Sequence, residues 1–485
     1  MTTSAGKSSL TPLVSGMAAA LGLACLVVWQ TRDHTTDITR RAPGMDHQPG
    51  QRSSGNTAEA GAASFFVQGQ AEPGGPDGAW PRFRGSHFDN TVHTTTGTRL
   101  SKDWETTPPE ALWSVTLGEG HAAPAVLDGR VFVLDYDETR QADTLRCLSL
   151  ATGGEIWRRG YTVPMKRNHG LSRTIPAVTR EFVVTIGPRC HVMCVDTRSG
   201  DFLWSIDLQA EYGTKEPFWY AGQCPLIDDG VAVIAPAGPE VLMMGVDCAT
   251  GEVLWKTPNP NAWKMSHSSI MPMTLNGVKM YVYSAVGGVA GIAAQGPRQG
   301  EIVWTVTDWA PSVIAPSPVA TDDGYVFLTA GYGAGSALLK VRGTDNGFTA
   351  ERVTDYGPKE GLACEQQTPV LADGFLYGIL PKDAGGQRGQ FVRAPVTDPR
   401  GIQSASGKQV RFGLGPFLRV DEDFLILNDD GTLVFASLTE TGYHEHARRN
   451  ILDGRDAWGP LALVQDRLLL RDDRTLICLK LPMRD

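Results

Sequence analysis

Apolar residues in this chain come in short runs, closely paired across a turn. "APAVLDGRVFVLD" at Pro124 holds two such runs, and the outline returns as "IPAVTREFVVTIG" at Pro176, "CPLIDDGVAVIAP" at Pro225 and "MPMTLNGVKMYVY" at Pro272. It continues with "SPVATDDGYVFLT" at Pro318, "TPVLADGFLYGIL" at Pro369, "GPFLRVDEDFLIL" at Pro416 and "GPLALVQDRLLLR" at Pro460. Apolar runs of this length, bounded by turn residues, predict buried β-strands joined by hairpins. Proline suits the first residue of a strand, where its missing N–H costs least. Successive prolines lie 52, 49, 47, 46, 51, 47 and 44 residues apart.

A second marker runs in step with the first. "LSLATGGEIW" ends at Trp157, "CVDTRSGDFLW" at Trp204, "VDCATGEVLW" at Trp255 and "AQGPRQGEIVW" at Trp304, with spacings of 47, 51 and 49 residues. A period in the forties with four strand-like runs per unit is the signature of a β-propeller blade, so eight prolines predict an all-β, eight-bladed β-propeller over residues 79–485. The last unit stops three strands in, after "TLICLKL", while "EALWSVTL" stands alone ahead of Pro124 with Trp113 in the repeat's tryptophan position. The strand at 111–117 is therefore expected to pair with Thr475–Leu481 and close the ring, removing an open edge. Trp113, Trp157, Trp204, Trp255 and Trp304 are expected to dock blade on blade, buried between neighbours.

Asp247-x-x-Thr250-Gly251-x-x-x-Trp255 resembles the tryptophan-docking motif of the pyrroloquinoline-quinone-type propeller repeat, and Ala151-Thr152-Gly153 to Trp157 follows its second half. "WPRFRGSHFDN" from Trp80, followed by "LWSVTLGEGHAAPAV", is similar to the opening of BamB-like exported propellers of planctomycete-like bacteria. The resemblance runs from Trp80 to the C-terminus. It implies the propeller fold and two functional alternatives: a non-enzymatic binding or assembly scaffold, or a quinoprotein dehydrogenase carrying pyrroloquinoline quinone with calcium. The dehydrogenases' hallmark is a pair of adjacent cysteines, which is missing here, and their calcium-binding acidic residues and catalytic aspartate match no motif of this chain. No cofactor is assigned on this basis.

N-terminal to the repeat the pattern changes. Leu13 to Trp29 is apolar or small throughout and uncharged, so residues 1–30 are expected to be a signal peptide or a membrane anchor. Small residues before Cys25 would suit a signal peptidase, whereas the continuing Leu26-Val27-Val28 favours an uncleaved anchor in the inner membrane. Residues 31–78 include "QPGQRSSGNTAEAGAA", too poor in large apolar side chains to bury a core, and are expected to form a flexible linker. The expected location is the cell envelope, on the periplasmic face of a membrane, or outside the cell. A balance of 44 basic against 53 acidic residues, net −9, repels phosphate backbones and argues against nucleic acid as a partner. Of the 8 cysteines, Cys147, Cys194 and Cys478 fall at equivalent apolar strand positions. Cys190 and Cys194 are separated by about 13 Å along one strand and should not form a disulfide.

Candidate chemistry lies in the segments that lead into each first strand, because a propeller brings these crossovers together around its axis. They carry His121, then Lys166, Arg167, His169 and Arg173, then Trp219, Tyr220 and Gln223, then Lys264, His267 and Ser268. Further along come Glu365, Gln366 and Gln367, and finally Trp458. Cationic forks, amides and aromatic planes on an acidic protein are what an anionic or sugar-like ligand needs, so the expected partners are such a ligand or a cell-envelope protein. The plainer alternative is that these residues satisfy backbone groups around the axis. As crossover residues, Arg173 and His267 are expected to matter little for stability. No catalytic residue is assigned: His267 and Ser268 are neighbours without a Gly-x-Ser-x-Gly elbow, and no carboxylate is identified to orient His169 or His267 as a base. His444 and His446 share a strand face without a third ligand, so no metal site is assigned. "GYGAGS" at Gly331–Ser336 lacks the lysine and helix of a phosphate loop and reads as a tight turn.

Overall fold

In the computed structural model, which describes residues 20–23, 27, 64–94, 99–345 and 347–484, the paired apolar runs become the first two strands of eight successive antiparallel sheets. Blade one is Ala125–Leu127, Arg130–Asp137, Ala142–Ser149 and Glu155–Thr162. Blades two to eight begin at Ala177–Val178, Leu226–Asp228, Met271–Leu275, Val319–Ala320, Val370–Ala372, Phe417–Val420 and Ala462–Val464. Each second and third strand packs on both faces against neighbouring blades. That is why sequences such as Val131–Leu134 and Leu468–Leu470 are apolar without alternation and fully buried. Fourth strands lie outermost and alternate, as Val253–Pro258 does. The fourth strand of blade eight is Glu110–Thr116, paired with Thr475–Lys480 from the far end of the chain.

Tryptophans tie blades eight, one and two each to the next, whereas Trp304 of blade four donates to Met280 Sδ of its own blade. Trp113 Nε1 of blade eight donates to Leu150 O of blade one (2.9 Å), Trp157 Nε1 to Arg198 O of blade two (3.2 Å), and Trp204 Nε1 to Cys248 O of blade three (2.8 Å). The receiving turns are anchored locally: Asp247 Oδ1 accepts from the N–H groups of Ala249 and Thr250 and from the Thr250 hydroxyl, which also holds the Asp247 carboxyl below its ordinary pKa. Gly153 and Gly251 close these turns at positive φ, with the ring of the preceding blade's tryptophan so near that a Cβ would lie 2.6 and 2.7 Å from it. Opposite each tryptophan the third strand supplies a small residue: Cys478 faces Trp113, Cys147 faces Trp157, Cys194 faces Trp204, Gly245 faces Trp255 and Gly291 faces Trp304. The seven described cysteines are buried free thiols.

Full burial of every docking tryptophan does not hold. Trp157, Trp204 and Trp304 are buried, whereas Trp113 and Trp255 are half-buried. In blade four the turn carbonyl equivalent to Cys248 O is Ala294 O, and the Gln299 side chain takes it (3.1 Å), so Trp255 Nε1 has no acceptor. The Trp255 ring stacks instead on Tyr281 of blade four, centroids 6.3 Å apart.

The linker expected over 31–78 ends earlier than its composition suggested. Ser64–Gln68, "SFFVQ", adds a fifth strand outside Glu155–Thr162, with Arg140 over the Phe65 ring and Arg159 over Phe66. Phe65, Phe66 and Val67 are enough for an edge strand on a sheet that already exists, although not for a core of their own. Residues 79–94 then pass from blade to blade. Ala79–Trp80 pairs with Val126–Leu127 of blade one, Pro81 O accepts from Val178 N of blade two, and Arg82 reaches Ile227 O of blade three. Arg84 Nη1 and Nη2 reach Thr368 O and Pro369 O at blade six, and Thr91–Val92 pairs in parallel with Arg419–Val420 of blade seven. This segment spans the ring like a bar.

The apolar run Leu13–Trp29 lies mostly outside the described residues; 20–23 and 27 are helical and exposed. Among the described residues no helix is long and apolar enough to cross a membrane.

Candidate functional site

Crossovers are long stretches without sheet partners, so their backbone groups need other satisfaction. A chain of side chains provides it around the axis. Ile175 N donates to Cys224 Sγ (3.2 Å), Cys224 N to Ser269 Oγ (3.0 Å), Ser269 N to Ser317 Oγ (2.9 Å) and Ser317 N to Thr368 Oγ1 (2.9 Å). Blades two to six are thereby linked: blades three to six each supply one small polar side chain, close to the strand-opening proline, and blade two the Ile175 N–H.

Inside this ring lies a cavity of about 160 Å³, walled by residues from the crossovers into blades one to six and into blade eight. Phe83, on the bar, also lines it. His121, Arg173, His267, Gln366, Gln367 and Trp458 come together here, although more than 300 residues of chain separate the first from the last. Trp219 and Glu365, on crossovers already noted in the sequence, line the same cavity, as do Tyr332 and Cys224. Tyr332 gave no signal, because it sits on the "GYGAGS" hairpin turn and not on a crossover. Its ring stacks on Trp219, centroids 5.7 Å apart and 15° from parallel. Trp219 and Tyr332 are held at φ 61° and 56°, a conformation bulky side chains seldom adopt unless the surroundings impose it.

Other expected ligand residues lie elsewhere. Gln223 is fully buried, with Nε2 on Ala235 O and Tyr283 Oη and with Oε1 accepting from Ala235 N, so its amide is consumed by the fold. Ser268 is also fully buried and outside the cavity wall. Tyr220 packs with Tyr136, Val163 and Leu171 and gives its hydroxyl to Lys166 O. His169 and Lys264 are exposed and do not line the cavity.

The electrostatics of the cavity are set by burial. Burial, with Arg173 and Arg471 nearby, pushes His121 down to about 3, an effect that the carbonyls of His169 and Asp456 offset only in part. Burial and Arg173 push His267 down to about 4. Both imidazoles are neutral near pH 7. Arg173 donates through Nε to Trp219 O (2.6 Å) and through Nη2 to Asn168 O (3.1 Å) and His169 O, and among the described residues it has no carboxylate partner. Its Nη1 makes no hydrogen bond to the described protein. Glu365 is buried at 4 % exposure; Lys382 holds its Oε1 at 2.8 Å and Oε2 has no partner. Trp458 donates to Asp429 Oδ1 (3.0 Å), and its ring lies 5.1 Å from that of His121. Gln367 is spent on Leu414 O and Trp458 O, whereas the Gln366 amide has no protein partner among the described residues.

A calcium-bound quinone does not fit this donor set. Calcium takes six to eight oxygen ligands, rich in carboxylates. The cavity wall offers Glu365, already paired with Lys382, and among the described residues no three His, Cys, Asp or Glu side chains gather as a metal site. The cavity's cysteine, Cys224, accepts from Ile175 N. On blade seven His446 Nε2 is engaged by Asp423 and Lys102, each at 2.9 Å, with the His444 ring beside it.

A family model described as the outer membrane protein assembly factor BamB matches residues 141–296. No curated protein matches the chain in sequence. Among solved structures, BamB from Moraxella catarrhalis is similar at 12% identity and a TM-score of 0.50, over 77% of this chain and 99% of that one. A europium-containing methanol dehydrogenase is similar at 10% identity and a TM-score of 0.56, over 81% and 89%. A quinohemoprotein alcohol dehydrogenase from Pseudomonas putida HK5 is similar at 12% identity and a TM-score of 0.52, over 83% and 80%. At such identities the likeness is one of fold, and it extends to assembly factor and dehydrogenases alike. With the eight sheets, it makes the chain an eight-bladed β-propeller, in which residues 141–296 and the tryptophan-docking turns of blades one to three are similar to the pyrroloquinoline-quinone-type repeat.

Proposed function

We propose that this protein is an exported, non-enzymatic propeller of the cell envelope that binds a small anionic or sugar-like ligand in its central funnel and serves as a binding or assembly scaffold. One observation carries the reading: crossovers from seven blades enclose a cavity whose wall holds two buried polar atoms without partners, His121 Nδ1 and Glu365 Oε2, beside the half-buried Arg173 and Gln366, whose Nη1 and amide make no hydrogen bond to the described protein. Buried polar groups are normally paired, so a cluster of unpaired ones in a concave site is a binding site's pattern. The apolar Leu13–Trp29 run and the likeness to an outer membrane protein assembly factor support placement in the envelope, held by the N-terminal segment, with an envelope protein as a second partner. The quinoprotein alternative lacks the donors its cofactor requires.

The test is a melting-temperature panel of small sugars and organic anions on the purified protein. A ligand at one hundred times its Kd should stabilise the fold by about 2.7 kcal/mol. Gln366→Trp, which fills the cavity from a side chain with no structural hydrogen bond, should abolish the shift. Ligand shifts that persist in Gln366→Trp would place binding outside the funnel.

A further inference from the structure

The free groups of the cavity specify a ligand more narrowly than "anionic or sugar-like". Four properties of the wall act together. First, its charge is uneven: Glu365 is neutralised by Lys382, while Arg173 is surrounded by carbonyls and has no counter-ion among the described residues. One unbalanced cation calls for one anionic group on the ligand, and with Nε and Nη2 taken by carbonyls it is Nη1 that is free to make a single charge-assisted hydrogen bond to a carboxylate oxygen. Second, Glu365 Oε2 is a buried acceptor without a donor. An ionised carboxylate there would be repelled, so the part of the ligand that faces Glu365 must carry O–H or N–H groups. Third, Gln366 offers both a donor and an acceptor, which a hydroxyl can meet at once. Fourth, Trp219, Trp458 and Phe83 supply apolar faces, against which the C–H face of a pyranose ring packs.

Size sets the remaining limit. Pockets for drug-sized ligands span about 300–1,000 Å³. At about 160 Å³ the cavity suits a single sugar ring. A sugar phosphate brings a second negative charge for which the wall has no free cation, and an amino sugar brings a positive charge to Arg173. We infer that the funnel binds a single hexuronate unit, a pyranose with one carboxylate, either free or at the end of a polyuronate chain, with the carboxylate on Arg173 and a ring hydroxyl on Glu365. The inference rests on the reading of the funnel as a ligand site.

Isothermal titration of the full-length protein with sodium glucuronate, glucose and sodium acetate at pH 7 tests it. Glucuronate should bind at least about tenfold more tightly than either of the others, since each lacks one of the two charged or charge-assisted contacts. Glu365→Gln should weaken glucuronate about tenfold with little change in melting temperature, and Gln366→Trp should abolish binding. Glucose binding as tightly as glucuronate would overturn the uronate inference and leave a sugar site. Acetate binding as tightly would overturn it and leave an anion site. A silent glucuronate titration alongside some panel ligand that Gln366→Trp blocks would also overturn it, with the funnel intact. Glucuronate binding undiminished in Gln366→Trp would overturn both the inference and the funnel. A titration that detects di- or trigalacturonate at the same affinity as the monomer would assign the cavity to a chain end.

Discussion

Arg84 and Arg471 are buried and Arg173 is half-buried; among the described residues none has an ion pair, all three spend N–H groups on main-chain carbonyls, and desolvation pushes each down to about 10. In the sequence Arg173 reads as a free fork for an anion and is expected to be neutral for stability. In the fold it ties the blade-two crossover to Trp219 O, 46 residues further on, and only Nη1 is left over. Nothing local announces this, because the carbonyls that claim the side chain come from another crossover. The same holds for Asp143, which no motif marks. It is 1 % exposed, accepts from Tyr161 Oη (2.8 Å) and Ser172 Oγ (3.4 Å), and burial raises it from 3.8 to about 6. Its folded pKa therefore exceeds its unfolded one. The stability it contributes is complete below about pH 4 and lost as the pH rises through about 6, a change of roughly 3 kcal/mol. Asp143→Asn should remove that loss. Urea midpoints at pH 4.5 and 7.5 measure it: the variant should gain on the natural protein at the higher pH, and parallel behaviour of the two would sink the assignment.

Blades were legible because each repeats a proline followed by two apolar runs across a turn, and because the fourth strands of blades eight and one to four add a tryptophan. Where the repeat weakens, so does the docking, as Trp255 illustrates. Trp204, buried and hydrogen-bonded to Cys248 O, should lose about 3–5 kcal/mol on replacement by alanine. Trp255→Ala should cost clearly less, since the ring is half-buried and its N–H has no partner. Equal losses in denaturant titrations would mean that the indole bond to the next turn contributes nothing. The small residue opposite the ring is part of the same element: at Gly245 a Cβ would lie 2.2 Å from Trp255 Nε1. The cavity was only half legible at this scale. Crossover positions pointed to the right region, yet whether Gln223 or Gln366 faced the axis depends on packing that no period encodes.

At the scale of the molecule the sequence indicated a ring closed by its first strand but not the bar that crosses it. "WPRFRGSHFDN" looked like a signature without a task, and its partners lie on blades one, two, three, six and seven. Removing residues 1–63 should leave a stable ring, because the Ser64–Gln68 strand, the bar and the closing strand are all retained. Removing residues 1–117 takes away both the bar and the partner of Thr475–Lys480, and the exposed edge should drive aggregation, read by size-exclusion chromatography. Similar elution of the two would refute the need for closure. The closing pair also sets a timetable. Thr116 leaves the ribosome 359 residues ahead of its partner Thr475. At about 5–20 residues per second it waits roughly 20–70 s for the other half of its sheet. During that wait the oldest part of the chain cannot reach its final place. A ring fastened by its two ends is thus a fold that finishes only after synthesis is complete, which gives any chaperone a defined edge to guard.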